Sequence, residues 1–137
     1  MEKVDRTHWE RAELFEFFSA VSHPFYSFRV DVTNLYRYVK ERHLSFYYAM
    51  GYLVTDAVNS VKNFRYAIRD GEVWLLDERI PSLTDLKPGS EQFHIVTLPK
   101  VGGIAEFCAS AQARSAAQKP LLDQDEENDN LIYISCT

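Results

Sequence analysis

Apolar side chains recur at three- and four-residue steps along residues 46–61. Phe46, Met50, Leu53, Val54, Ala57 and Val61 would share one face of an amphipathic helix, and the spacing predicts that this face is buried. Ser45 is placed to cap the helix by accepting a bond from a free amide of its first turn. The period then changes to two. Phe64, Tyr66 and Ile68 alternate with Arg65, Ala67 and Arg69, which predicts a strand. Asp70-Gly71 supplies the positive φ angles of a tight turn, and residues 72–77 return as the second arm of a hairpin. A long helix feeding a hairpin predicts a scaffold rather than a site.

The same reading extends in both directions. Thr7 and Glu10 have capping-box spacing, and Leu14, Phe17, Phe18 and Val21 follow as a helical stripe that ends at His23-Pro24. Residues 25–32 alternate as a strand would, with Tyr26, Phe28, Val30 and Val32 on one face. Asp31 or Thr33 can cap a short helix burying Leu35, Tyr38 and Val39 and closing near Glu41. Residues 82–86 and 92–98 read as strands, the second with Phe93, Ile95 and Thr97 on one face. A turn at residues 87–90 separates them. Gly102-Gly103 precedes an alanine-rich helix from Ile104 to about Lys119, stopped by Pro120. Residues 123–130 form an acidic connection, and residues 131–137 an apolar strand that places Tyr133 and Ser135 on one face. That strand stops in mid-stride, so the natural polypeptide is expected to continue past Thr137. Residues 1–137 are read as a single domain, the N-terminal portion of a longer one.

Composition narrows the classes of function. The 137 residues are 46% hydrophobic and 14% aromatic, which excludes a disordered chain. A net charge of −5 with scattered Lys and Arg provides no electrostatic footprint for nucleic acid. The apolar runs fall short of the ~20 residues that span a bilayer, and the N-terminus has no apolar signal core, so a cytoplasmic location is expected. Cys108 and Cys136, on a predicted helix and a predicted strand, are expected as reduced core residues, although a disulfide is not excluded.

Spacing alone singles out little chemistry. His8, His23, His43 and His94 show no metal-type pairing, and surface or packing roles are commoner for such residues. The acidic run lacks the glycine and closing glutamate of a calcium loop. Ser135 lacks the flanking glycines of a nucleophile elbow. Arg11 reads as a surface residue, and Phe17, Phe18 and Phe93 as core.

The order of the motifs says more than any one of them. His8-Trp-Glu-Arg11-Ala-Glu-Leu-Phe-Glu-Phe-Phe18 opens the chain. Val30-Asp31-Val-Thr33 and Phe46-Tyr47 follow, then the hairpin from Phe64-Arg65 through Asp70-Gly71 to Asp77, and Ile132-Tyr-Ile-Ser135 closes it. This succession resembles the chloramphenicol acetyltransferase family over the whole chain. The family has a W-x-R opening helix, a Phe-Tyr-Pro helix start, an R-M-A-I-K-D hairpin and a strand of form x-x-x-S-A-x-P-W.

The resemblance implies an α/β fold, a two-layer sandwich of the CoA-dependent acyltransferase type, assembled as a homotrimer with sites between subunits. It implies acetyl transfer from acetyl-CoA, a co-substrate, to a hydroxyl of chloramphenicol or a similar small-molecule acceptor, with no metal. Ser135 takes the place of the serine that donates to the oxyanion of the tetrahedral intermediate. Arg11 takes that of an arginine whose ion pair orients the site, and Phe17, Phe18, Phe93 and Tyr133 those of acceptor-pocket residues. The chain departs from the family in lacking the late HHxxxDG motif, whose second histidine is the base, and the aspartate partner of Arg11. Phe18 lacks the hydroxyl of the family's common tyrosine, and Asp85-Leu86-Lys87 replaces a more apolar Val-Phe-His. A degenerate, non-catalytic homologue acting in binding or assembly is the alternative. An α/β module binding an unrelated ligand in an aromatic pocket is the third reading.

Overall fold

A computed structural model describes residues 1–9, 12–19, 27, 29–86, 89, 93–118 and 129–135, without the side chains of residues 13, 14, 17 and 18. Three helices follow a two-residue strand. These are β1 (Glu2–Lys3), α1 (Ala12–Ser19), α2 (Thr33–Glu41) and α3 (Phe46–Ser60). A 3-10 turn at Lys62–Arg65 leads into β2 (Tyr66–Arg69) and β3 (Glu72–Leu75). Then come β4 (Ile80–Leu86), β5 (Phe93–Thr97), α4 (Ile104–Ala117) and β6 (Leu131–Ile134).

The strands form two small sheets. In the first, β3 pairs antiparallel with both β1 and β2. The hairpin turns at Asp70 and Gly71, with φ of 52° and 77°, in keeping with the Asp-Gly signal. In the second, β4 lies between antiparallel β5 and parallel β6. A parallel neighbour requires a crossover, and α4 lies between β5 and β6 in the chain and covers one face of this sheet.

The core sits between the second sheet and the helices. Val39 of α2, Tyr48 and Ala49 of α3, Leu83 of β4, Val96 of β5 and Phe107, Cys108 and Ala111 of α4 form one buried cluster. Cys108 is a buried free thiol whose ionisation burial makes harder, while Cys136 lies outside the described residues. Leu35 and Tyr38 pack against the cluster beside Val39, as the α2 spacing predicts.

The predicted helix over 46–61 and its Ser45 cap are present, with Ser45 Oγ accepting from Tyr48 N at 3.3 Å. Its buried face is another one. Tyr48, Ala49, Gly51 and Thr55 face inward, whereas Phe46, Leu53 and Val61 are exposed. α3 is apolar nearly all round, so periodicity leaves its rotation open, and close approach to the sheet decides it. A Cβ on Gly51 would lie 2.8 Å from Leu83 Cδ2, so the helix meets β4 through its smallest residues.

In the hairpin the small residues likewise face inward. Ala67 and Val73 are buried, while Phe64 and Ile68 are both 60% exposed. Phe64 belongs to the 3-10 turn rather than to the strand.

The Thr7 hydroxyl and amide both donate to Asp5 Oδ1, at 2.6 and 3.0 Å, and Glu10, its expected capping-box partner, lies outside the described residues. Asp5 gains these bonds and one from His8, which lower its pKa to about 2. Among residues 25–32, the described residues 27 and 29–32 are not in a strand, and Val30 is 63% exposed.

Candidate functional site

Strand register assigns each residue of the second sheet to a face, because directly paired residues point the same way and neighbours along a strand alternate. Ser82 pairs with Tyr133 and with Thr97, Thr84 with Ile95, and Leu86 with Phe93. These residues share one face. Ser135, two residues past Tyr133, joins it. Thr84 Oγ1 donates to Ser135 Oγ at 3.4 Å. Three of the sequence-predicted residues, Ser135, Phe93 and Tyr133, therefore lie on one face of one sheet. Phe93 and Tyr133 are 53% and 66% exposed and Ser135 is exposed as well, whereas Ser82 and Thr97 on the same face are buried, so the face is open only in part.

Of the remaining candidates, Phe17 and Phe18 lie on α1, with side chains outside the description, and Arg11 is outside the described residues altogether. An open groove of about 690 Å³ between β1, α1 and β3 is lined by Lys3, Asp5, Arg6, Glu16 and Glu72. It includes none of the site-face residues, so it is a charged surface hollow rather than part of this site.

Tyr47 secures the Ser135 end of β6 from the helix layer. Its hydroxyl donates to the Ile134 carbonyl at 3.1 Å and lies 3.4 Å from Thr84 Oγ1. The start of α3 thus reaches the end of β6 through one side chain. Neither Tyr47 nor Thr84 stands out from spacing alone. The signal was their position, an aromatic at the helix start and a threonine on the strand beside β6.

The opposite face of the sheet holds a buried polar chain that the sequence reading also missed. Tyr48 OH and Ser115 Oγ both donate to Asp85 Oδ2, the latter at 2.6 Å, and His94 Nε2 lies 2.9 Å from Ser115 Oγ. Because the single Ser115 proton goes to Asp85, Ser115 accepts from His94. His94 Nε2 then carries the hydrogen of that bond, and its buried Nδ1 has no hydrogen-bond partner.

Burial and the neighbouring Asp85 carboxylate push the Tyr48 phenol well above its ordinary pKa. Burial also works to raise Asp85, but bonds from Ser115, Tyr48 and the Leu86 amide outweigh it and hold Asp85 below the usual carboxylate range. His94 points away from Ser135 by register, so this histidine packs and orients rather than reaching the site face. His8 lies on the surface against Asp5, and His43 follows α2 at φ 53°. His23 is outside the described residues.

Among the described residues no group of three or more His, Cys, Asp or Glu could hold a metal ion. None of the described helices is long and apolar enough to cross a membrane.

Comparison with known proteins gives this geometry its setting. A family model described as chloramphenicol acetyltransferase matches residues 1–137. The chain is 38% identical over 95 residues to a chloramphenicol acetyltransferase of Clostridium perfringens, covering 67% of this chain and 44% of that protein. It is 29% identical over 144 residues to chloramphenicol acetyltransferase 3 of Escherichia coli, covering 97% of this chain and 65% of the relative. The match thus spans less than half the length of the clostridial relatives, 44% and 43%. A solved structure titled chloramphenicol acetyltransferase shares the fold with a TM-score of 0.80 at 24% identity, covering 98% of this chain and 69% of that one. The α/β arrangement is therefore that of the solved structure, and with the family match running from Met1 to Thr137 the chain belongs to the chloramphenicol acetyltransferase family.

Proposed function

We propose that the protein acts in acetyl transfer from acetyl-CoA to a hydroxyl of chloramphenicol or a similar acceptor, inactivating the antibiotic. The observation that supports this reading is the exposed Ser135 residue on the same sheet face as the exposed Phe93 and Tyr133, in a chain matched throughout by the family model. Ser135 donates to the oxyanion that forms when the acceptor hydroxyl attacks the thioester carbonyl. A donor aimed at developing charge lowers the barrier more than it helps the ground state. The aromatics hold the acceptor, Phe17 and Phe18 from α1 and Phe93 and Tyr133 from the sheet. Arg11 orients the site through an ion pair. Both substrates meet without a covalent acetyl-enzyme.

No HHxxxDG motif stands in residues 1–137, so the base that takes the acceptor proton comes from outside them. In this reading residues 1–137 form one portion of a longer acetyltransferase domain, cytoplasmic and homotrimeric, with sites between subunits. The alternative reading is a non-catalytic homologue that binds or assembles.

Acetylation of chloramphenicol by the full gene product, with Ser135→Ala as control, separates the two. The expected result is turnover that falls by roughly 100- to 1,000-fold in Ser135→Ala. Saturable acetyl-CoA binding, measured by calorimetry, should accompany it. Absence of both turnover and acetyl-CoA binding overturns the enzymatic reading.

A further inference from the structure

We propose that Thr84 is a positioning residue for Ser135, the middle of a hydroxyl relay running from Tyr47 through Thr84 to Ser135. The proposal rests on the oxyanion role given to Ser135 above and deepens it. Three hydroxyls follow one another at the end of β6, the first of them reaching over from the start of α3. Tyr47 OH lies 3.4 Å from Thr84 Oγ1, and Thr84 Oγ1 donates to Ser135 Oγ at 3.4 Å.

Each hydroxyl has one proton. Thr84 spends its proton on a lone pair of Ser135, so the Ser135 O–H is left to point outward from the sheet, toward an acceptor on the exposed part of that face. The Tyr47 proton goes to the Ile134 carbonyl at 3.1 Å, with Thr84 as its second neighbour, and this anchors the relay to the backbone one residue before Ser135.

Two consequences follow. Ser135 sits just past β6, and the contact with Thr84 restrains its hydroxyl rotamer. A hydroxyl that accepts a hydrogen bond is also a stronger donor, so the relay strengthens the bond Ser135 gives to developing negative charge. At 3.4 Å both contacts are longer than the roughly 2.5–3.0 Å of an ordinary hydroxyl–hydroxyl bond, and catalytic hydrogen bonds commonly shorten once substrate closes the site. The relay acts on the transition state more than on acceptor binding. Its signature is a loss in kcat with KM held.

Steady-state kinetics of chloramphenicol acetylation by the full gene product test this. Thr84→Val keeps the β-branched shape and removes the donor. It should lower kcat about tenfold, as loss of one ordinary hydrogen bond does, with KM for the acceptor within about twofold. Thr84→Ser, which restores the hydroxyl, should recover most of the rate, and Tyr47→Phe should lose kcat in the same sense. In a Ser135→Ala background Thr84→Val should cost nothing further. An equal loss in both backgrounds, or a change confined to KM, overturns the relay while leaving Ser135 as oxyanion donor. A wild-type protein without turnover, or a Ser135→Ala variant with full turnover, overturns the oxyanion reading and the relay with it.

Discussion

Ser115 donates its hydroxyl to Asp85 Oδ2 at 2.6 Å across 30 residues of chain, joining the last turn of α4 to β4. Asp85 and Thr84 are neighbours on β4 and point to opposite faces. The buried clamp therefore grips the strand from behind at the place where Thr84 touches Ser135 in front. Asp85→Ala would leave the Ser115 and Tyr48 donors buried without their acceptor. Hydrogen bonds to a charged group contribute about 1.5–3 kcal/mol, so the variant should lose about 3 kcal/mol in urea unfolding. Ser115→Ala should lose less, because it leaves Asp85 with Tyr48 and the Leu86 amide. If Asp85→Ala unfolds at the wild-type urea midpoint, the clamp contributes nothing.

The same carboxylate predicts a dependence on acid. The folded-state pKa of Asp85 lies below its ordinary value of 3.8, so the folded protein binds this proton less readily than the unfolded chain does. The stability it contributes is complete above about pH 4 and is lost as the pH falls through the lower folded value. Asp85→Asn should flatten the fall in stability below pH 4 and leave the curve from pH 5 to 8 parallel to wild type. Urea midpoints taken from pH 2 to 8 measure this. An acid limb of unchanged slope in Asp85→Asn would assign it to other carboxylates, with Asp5 first among them.

Gly51 sets two effects against each other. Alanine is the better helix former by about 1 kcal/mol, which favours Gly51→Ala in the middle of α3. The added Cβ would meet Leu83 Cδ2 at 2.8 Å, and Leu83 is fully buried in the core, so its side chain would have to shift among packed neighbours. Overpacking of this kind costs about 1–3 kcal/mol and should win. Gly51→Ala is expected to lower stability by about 1–2 kcal/mol. A stabilised Gly51→Ala would show that α3 does not seat on β4 as closely as the structure has it.

What could be read from the chain and what could not follow from the same physics. The hairpin turn was legible because positive φ at Asp70 and Gly71 is a local property of two residues. The Ser45 cap was legible for the same reason. The rotation of α3 was not, since Phe46, Leu53, Ala49 and Gly51 are all apolar or small, and only the surface of β4 selects among them. Tyr133 and Ser135 could be placed on one face by alternation, but their company with Phe93 depends on β4 lying between β5 and β6, a non-local pairing. The polar chain through Tyr48, Asp85, His94 and Ser115 joins four elements in one place. No spacing along the sequence announces it.

The acceptor role proposed for Phe17, Phe18 and Phe93 allows a direct test. Phe17, Phe18 and Phe93 replaced together by alanine should raise the acceptor KM at least tenfold in the full gene product, since each lost aromatic contact contributes about 0.5–1.5 kcal/mol beyond area burial. The KM for acetyl-CoA should stay within about twofold. Chloramphenicol binding retained in the triple variant, measured by calorimetry, would place the pocket elsewhere.

Arg79 bears the last prediction. Its guanidinium donates to three carbonyls, Phe64 at 3.0 Å, Asp129 at 2.6 Å and Tyr66 at 2.5 Å, and so ties the 3-10 turn, the start of β2 and the residues before β6 together. Asn59 holds the Arg79 backbone from both sides, accepting from its amide at 2.7 Å and donating to its carbonyl at 3.0 Å. A lysine keeps the charge but not the planar fork, and one ammonium cannot reach three carbonyls spread this way. Arg79→Lys should therefore cost about 1–2 kcal/mol, more than the exchange of two cations at a surface would. The loss should be local as well as global, because the carbonyls released belong to the hairpin and to the entry of β6. Amide exchange should quicken over residues 66–75 and 131–134 before it does over α4. Uniform quickening across all of these would mean that Arg79 supports the whole core and does not serve as the strap between the two sheets.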